Sequence, residues 1–291
     1  MQADGFKEDK NRLDFSIWAN LALTLFEFAA GTLANSTAVI SLASHDFSDV
    51  ITTLVARAAV SQAEKPANAR KTFGYYRVTV LAALASSLVL LALTLYVIYE
   101  GIQRLTNPVH VDVGILTAVS LASMAVNGVI TYRLMKKNAD LNLQAAFWHS
   151  AGDVLGGFAV LAVAIITILF DWHYADGIAT ILISFIVLKG IYGILKEITG
   201  VFMEATPSGM DLSKVEKEIN KIKGVEAVHD LHAWTIGAGI YCLSAHVQVK
   251  DGKLGNLAPL VSKVKKMLGQ KFGITHATIE LECVDCQIKG I

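Results

Sequence analysis

The sequence predicts an α-helical membrane protein, a bundle of six membrane-spanning helices followed by a small soluble α/β domain. Only 17% of the 291 residues are charged and 54% are hydrophobic, whereas soluble domains contain about 25% charged residues on average. The charge is also uneven, because residues 207–291 contain 20 of the 50 charged side chains in less than a third of the chain. We therefore expect a membrane domain over residues 1–206 and a soluble domain over residues 207–291.

Six apolar stretches in the first domain are long enough to cross a bilayer, for which a helix needs about 20 residues. A helical conformation is expected because lipid offers the backbone no hydrogen-bond partners. Serine, threonine, glycine and asparagine in the second, fourth and fifth stretches favour helices packed inside a bundle. The stretches cover residues 15–34, 38–60, 78–102, 113–135, 143–170 and 174–195.

Lysine and arginine are concentrated on one side of this predicted bundle. The opposite side has only Arg104 in its connections. Because positively charged loops stay in the cytoplasm, we expect both termini and the soluble domain to be cytoplasmic, and the protein to lie in the plasma (inner) membrane. The basic residues of the cytoplasmic side are Lys7, Lys10, Arg12, Arg57, Lys65, Arg70, Lys71, Arg77, Arg133, Lys136 and Lys137.

Composition and motifs argue against several other classes of protein. The formal net charge is zero, so no overall field attracts nucleic acid. The first eleven residues lack the apolar core of a secretory signal peptide. A phosphate-binding loop of the G-x-x-x-x-G-K-[ST] type, expected of an ATP-driven pump, is absent from the sequence. Three cysteines are too few for a disulfide framework, which indicates a reducing compartment.

The soluble domain has the pattern helix, strand, strand, helix, strand. Helical spacing of apolar residues predicts helices over residues 211–222 and 257–272. Alternation predicts strands over residues 225–236 and 240–249, joined by a Gly-Ala-Gly turn, and a last strand over residues 276–282.

The second and fifth apolar stretches share one polar motif, H-x-x-x-D. His45 and Asp49 form the first pair, and His149 and Asp153 form the second. Residues four apart lie on one helix face with Cβ atoms about 5–6 Å apart, so two facing helices would offer four nitrogen and oxygen ligands. Such a set suits tetrahedral Zn²⁺, and an ionisable residue within a span is by default a candidate functional residue.

The alternative for these pairs is a set of hydrogen bonds that only holds the bundle together, which explains one pair better than two matching ones. Asp46 lies about 100° around the helix from His45, so we expect it to face a cavity or another helix, outside the site. Glu27 and Asn127 are expected to line a water-filled route or to hydrogen-bond neighbouring helices.

Longer segments around these residues resemble the cation diffusion facilitator family, most closely its zinc-transporting branch. The resemblance implies a homodimer in the lipid bilayer that exports divalent metal, above all zinc, in exchange for protons. It implies a transport site of His45, Asp49, His149 and Asp153 and a ferredoxin-like cytoplasmic domain that binds metal. The segments are residues 44–49 (SHDFSD), 72–77 (TFGYYR), 149–153 (HSAGD), 174–176 (YAD), 228–234 (VHDLHAW) and 244–247 (SAHV), in the family's order along nearly the whole chain.

The same resemblance assigns metal binding in the soluble domain most directly to His229, His246 and Glu282, with His276 as a further candidate. Strand alternation places His229 on one face and His232 on the other, so that His232 is interpreted as a structural residue beside Trp234.

Cys283 and Cys286 have the C-x-x-C spacing of half a zinc site. A mixed cysteine and histidine site, completed by the other protomer, and a reduced pair of free thiols both stay open.

Two alternatives come from other functional classes. An intramembrane metallohydrolase needs a general base next to an open metal position, as in H-E-x-x-H, and the sequence has no such motif. A metal sensor with a membrane anchor does not explain ligands inside the spans. We therefore expect a transporter and not an enzyme, with Zn²⁺ as its substrate and as a regulatory ligand of the soluble domain.

Overall fold

The computed structural model describes residues 2–33, 37–106, 113–136, 139–170, 175–237, 239–249 and 254–283. The chain divides into two compact units, Met1–Lys196 and Glu197–Ile291. The domain boundary expected after residue 206 stays a prediction.

Six long helices come first along the chain, and each overlaps one of the six predicted stretches. Two of the described helical segments, Phe6–Leu33 and Arg77–Gln103, are long and apolar enough to cross a membrane, so a bundle of six spanning helices stays a prediction. The helices are α1 (Gln2–Leu33), α2 (Thr37–Ala63), α3 (Arg77–Thr106), α4 (Val113–Leu134), α5 (Leu141–Phe170) and α6 (Ala175–Phe202).

The helical unit exposes large apolar side chains and buries several polar ones. Large apolar residues such as Trp18, Leu33 and Phe170 are exposed, a distribution that water disfavours and lipid accepts. The interior face of α1 has buried polar residues at helical spacing, Ser16, Asn20, Thr24 and Glu27. This arrangement is expected of a membrane bundle with a polar route through it.

Packing within this unit brings α2 and α5 together. Helix α1 packs along α2 and α4, and α5 packs against α2, α3 and α4. A buried apolar cluster lies near one end of these helices and includes Leu13, Val60, Ile130, Leu134 and Leu143. Because α5 contacts three other helices, its polar face lies inside the bundle.

The second unit contains the predicted order of helix, strand, strand, helix and strand. Asp211 caps α7, because its carboxylate accepts hydrogen bonds from the backbone N–H groups of Ser213 (3.0 Å) and Lys214 (3.4 Å). The elements are α7 (Leu212–Asn220), β1 (Val225–Gly237), β2 (Ile240–Val249), α8 (Leu254–Phe272) and β3 (Ile274–Cys283).

The three strands form one mixed sheet in the order β1-β2-β3. β1 and β2 pair antiparallel, and β2 and β3 pair parallel because α8 forms the connection between them. One face packs on the helices through a core that includes Val215, Ile219, Leu243, Val247, Val264 and Leu268. The other face is available for polar residues.

A bulge in β1 corrects the expected placement of His232. His229 pairs with His246 and His232 pairs with Ser244, so two residues of β1 lie opposite one residue of β2. The extra residue shifts the alternation of side chains by one position, and His232 therefore lies on the same face as His229. Asp230 occupies the bulge with a positive φ of 49°, a conformation that aspartate adopts more readily than most residues.

Candidate metal sites

The two H-x-x-x-D motifs face each other across α2 and α5. His149 Nε2 hydrogen-bonds to Asp49 Oδ1, and His45 Nε2 lies 3.5 Å from Asp153 Oδ1. Each histidine therefore faces the aspartate of the other helix, which requires the two helices to run antiparallel. Ligand atoms of His45, Asp49 and Asp153 lie within 4.8 Å of one another, a separation that one tetrahedral ion can bridge.

The N-terminal end of α5 is held by two hydrogen bonds. Asp140 Oδ1 accepts from the backbone N–H of Leu143 at 2.9 Å, which caps the helix. The side-chain amide of Asn142 donates to the backbone carbonyl of Ala56 in α2 at 2.9 Å. Because this anchor lies two turns from His149, it fixes the helix on which the second motif sits.

A small polar cavity of about 20 Å³ reaches the second motif, enough for about one water molecule. Its lining includes polar side chains of α1, α2, α3 and α5, among them Ser16, Asn20, Thr53, Ser86, His149 and Asp153. The cavity therefore accommodates a water molecule next to His149 and Asp153.

Sequence patterns singled out only Glu27 on α1, whereas the structure places Ser16 and Asn20 of this helix in the lining of the cavity. The signal was present in the chain, because residues 16, 20, 24 and 27 recur at three- and four-residue spacing on one helix face.

The open face of the second unit's sheet has a second group of ligand-type residues. Glu282 accepts from His229 Nε2 at 2.8 Å through Oε2 and from His246 Nδ1 at 2.7 Å through Oε1. The side chain of Glu282 is only 5% exposed, although Glu282 is the second-to-last residue of β3. Ligand atoms of these three residues lie within 4.8 Å of one another.

Asp230, at the bulge, extends this group with a carboxylate. It accepts from His232 Nε2 at 2.9 Å, and His246 Nε2 lies 3.4 Å from its other oxygen. The hydrogen bond from His232 holds the pKa of the Asp230 carboxyl below its usual value, and the charges of His246 and His229 act in the same direction. His232 thus contacts the edge of the group, a contact that the sequence analysis did not expect.

His276 is not brought to this group by the structure. It pairs with Cys242 in the sheet, whereas Glu282 pairs with Gln248. Six residues of extended chain separate the two, or about 20 Å at about 3.3 Å per residue. Cys283 ends β3, and Cys286 lies outside the described residues, so the C-x-x-C hypothesis stays a prediction.

Two family profiles match the chain in the order of its two units. Residues 14–203 match the family described as "Cation efflux transmembrane domain", and residues 207–283 match "Cation efflux protein, cytoplasmic domain". The first match alone covers more than half of the chain.

Three characterised relatives align over most of both chains. The "Cadmium, cobalt and zinc/H(+)-K(+) antiporter" of Bacillus subtilis is 36% identical, over 89% of this chain and 84% of its own. The "Metal cation efflux system protein CzcD" of Cupriavidus metallidurans is 34% identical, over 92% and 86%. The "Zinc transporter ZitB" of Escherichia coli is 30% identical, over 96% and 90%.

Among solved structures, the metal-bound C-terminal domain of the CzcD transporter of the same Cupriavidus species is 40% identical, covering 25% of this chain and 99% of that one, with a TM-score of 0.23.

These relatives are transporters, which agrees with the exposed apolar side chains of the helical unit, with its buried polar residues and with the two H-x-x-x-D motifs inside the helices. The alternative of an intramembrane hydrolase has no support from them. The chain belongs to the cation efflux family of membrane transporters.

Proposed function

We propose that the protein exports Zn²⁺ and related divalent cations from the cytosol in exchange for protons, as a homodimer with six spanning helices per protomer. The observation that carries the proposal is the crossed pairing of His45 with Asp153 and of His149 with Asp49. Names of the relatives support the substrate class, since they specify zinc, cadmium and cobalt, and one of them specifies H⁺ and K⁺ as the exchanged ions.

The donor set explains the exchange. A metal ion needs neutral imidazoles and ionised carboxylates, so metal and protons compete for the same four side chains. With protons on the imidazoles, each histidine donates to the aspartate opposite it and the buried carboxylates have partners. Zn²⁺ replaces these hydrogen bonds with coordination bonds, and its two charges expel the protons.

Access to the site changes sides by rocking of helices around it. Ser16 and Asn20 of α1 line the polar cavity beside His149 and Asp153. Both residues lie closer than Glu27 to the N-terminal end of α1. In the orientation predicted from lysine and arginine, that end of α1 is cytoplasmic, so the cavity supplies the cytosolic approach. This orientation and the plasma membrane location are parts of the proposal.

In the soluble domain, residues 207–291, we propose a regulatory zinc site of His229, His246 and Glu282. Both histidines already contact the two oxygens of one carboxylate, and three ligands leave a position open for a fourth. Asp230 and the C-x-x-C pair are the nearest candidates for that position along the chain. The domain is proposed to be ferredoxin-like in type and to contribute to the dimer.

The test of the proposed function is zinc flux in proteoliposomes. Proteoliposomes that contain the full-length protein should accumulate ⁶⁵Zn in their lumen against its concentration gradient when the lumen is more acidic than the outside. A zinc-sensitive dye enclosed in the lumen reports the same accumulation. Collapse of the proton gradient should stop accumulation, and empty liposomes provide the background. Zinc movement that is insensitive to the proton gradient would contradict exchange, and absence of movement would contradict transport.

His45→Asp should relax selectivity towards Mn²⁺, because the change replaces a nitrogen ligand with oxygen, which Mn²⁺ prefers. The measurement is competition of Mn²⁺ with ⁶⁵Zn uptake, and Mn²⁺ should compete at a concentration about tenfold lower than in the wild type, as expected for about 1.4 kcal/mol of altered preference. Ser48→Ala, on the same helix, is the control. Equal competition profiles for H45D and wild type would remove His45 from the ligand set.

His229→Ala combined with His246→Ala should lower the zinc transport rate about five- to tenfold without abolishing it. This factor is at the lower end of the range typical of coupling between two binding sites. The reason is that bound zinc favours one conformation only through its different affinity for the two states. His276→Ala, on the same sheet but distant from the group, is the matched control. Complete loss of transport would make the site obligatory, and an unchanged rate would remove its regulatory role.

A further inference from the structure

Two carboxyl groups beside the transport site have no assigned task. Glu27 of α1 is 0% exposed, and neither of its carboxyl oxygens has a hydrogen-bond partner. Asp46 of α2 is 2% exposed and has one oxygen without a partner. The two carboxyl groups are close enough to interact electrostatically. Neither is one of the histidines and aspartates that define the two H-x-x-x-D motifs, although Asp46 directly follows His45.

This arrangement requires a proton on at least one of the two carboxyl groups. A buried ionised carboxylate without a partner is strongly disfavoured, and two neighbouring carboxyls in a dry interior do not both ionise. The charges of His45 and Asp49 act on Glu27 at longer range. Helix α4, which also packs against α1, has only Tyr132 and Arg133 as titratable groups in its described range, and these lie near Arg12, fifteen residues from Glu27.

A polar line connects Glu27 to the cavity beside the metal ligands. Thr24 lies one turn from Glu27 on the same face and its hydroxyl has no partner. Asn20 and Ser16 follow at the same spacing and line the cavity. Because neither the Thr24 hydroxyl nor the Glu27 carboxyl has a protein partner, both can hydrogen-bond to water, and water molecules between these hydroxyl groups would carry a proton from the carboxyl to the cavity.

We propose that Glu27 carries one of the protons exchanged for the metal ion, separately from the four metal ligands. The proposal rests on the proposed metal and proton exchange. When Zn²⁺ enters the neighbouring site, the O–H bond of the Glu27 carboxyl breaks and its proton leaves through the Thr24 line to water in the cavity. The negative charge that remains on Glu27 is attracted by the divalent ion in the neighbouring site. When Zn²⁺ leaves, a proton from water restores the O–H bond.

The test is the number of protons released per bound zinc ion, measured with a pH dye in weakly buffered detergent solution. Full-length protein with His229→Ala and His246→Ala serves as the parent, so that only the membrane site contributes. Glu27→Gln keeps the side-chain shape and should release about one proton fewer per zinc, and the slope of log affinity against pH should fall by about one. Glu8→Gln, the same change at an exposed carboxyl of α1 that pairs with Arg12, should leave the number unchanged, and Glu27→Asp should restore it.

Equal proton release by Glu27→Gln and its parent would overturn the proposal, as would complete loss of zinc binding, which would make Glu27 a ligand. If E27Q fails to fold, the wild-type protein provides the measurement, because the infrared absorption of protonated carboxyl groups must decrease when zinc binds. An absorption that zinc leaves unchanged overturns the proposal. Because this experiment measures equilibrium binding, its failure differs from failure of the proposed function, which is absence of zinc flux by the wild type.

Discussion

Asp49→Asn is expected to lower the rate of zinc transport in proteoliposomes by at least about 100-fold, since changes to groups that merely support a metal ligand already cost about 10–100-fold. Asparagine keeps the volume of the side chain and removes the negative charge that the metal ion requires. In the wild type, this carboxylate is 3% exposed and hydrogen-bonds to His149 across α2 and α5. Asp153→Asn, at the other crossed pair, should have the same effect.

Folding is the necessary control for this loss. Ser48→Ala changes the adjacent residue of α2 and should transport zinc at the wild-type rate. Both aspartate variants should elute from a sizing column at the wild-type position, because the apolar contacts of the bundle are unchanged. Transport by D49N or D153N at more than a tenth of the wild-type rate would remove the assigned transport site.

The placement of the four proposed transport residues shows how much helical periodicity alone can predict. Local spacing of four residues predicted that His45 and Asp49 share one helix face, and that His149 and Asp153 share another. It could not predict which histidine faces which aspartate, because that depends on the direction and register of two helices that are distant in sequence. The structure supplies the crossed pairing, and metal binding itself stays a prediction.

The second unit shows where a prediction from periodicity is wrong. Its order of helices and strands followed from apolar spacing, yet the faces of β1 did not. One extra residue at Asp230 shifts the alternation, so His232 lies with His229 rather than opposite to it. Alternation assumes an unbroken ladder, and a bulge formed by an aspartate leaves no pattern in hydrophobicity that would reveal it.

Helix α1 shows a different limit. Glu27 was singled out as a polar residue in a span, but the other polar residues on the same face of α1 were not. Only the packing of α1 against α2 shows that Asn20 and Ser16 reach the cavity beside Asp153. Apolar periodicity finds the face of a helix that packs in a core, and in this bundle the informative periodicity is polar.

Gly190→Ala is expected to destabilise the bundle next to the transport site. A Cβ atom at position 190 of α6 would lie 2.4, 2.5 and 2.9 Å from Cδ2, Cε3 and Cε2 of Trp148, closer than atoms in contact allow. Trp148 directly precedes His149, and its ring also contacts the Phe147 ring edge-on, with centroids 5.7 Å apart. The indole therefore cannot move without disturbing α5 where the second motif begins.

Overpacking of this kind costs about 1–3 kcal/mol, which corresponds to a fall in Tm of roughly 2–12 °C for a chain of this size. Gly193→Ala, one turn further along α6, is the matched control, because nothing lies within 4 Å of its added Cβ. Alanine is favoured over glycine in helices by about 1 kcal/mol, so G193A should be at least as stable as wild type. Thermal unfolding of the full-length protein in detergent measures both, and Trp148→Leu should restore stability to G190A by making room for the methyl group. Equal Tm values for G190A and G193A would show that α6 does not approach α5 as closely as Gly190 and Trp148 indicate, and that the helix holding His149 is positioned by other contacts.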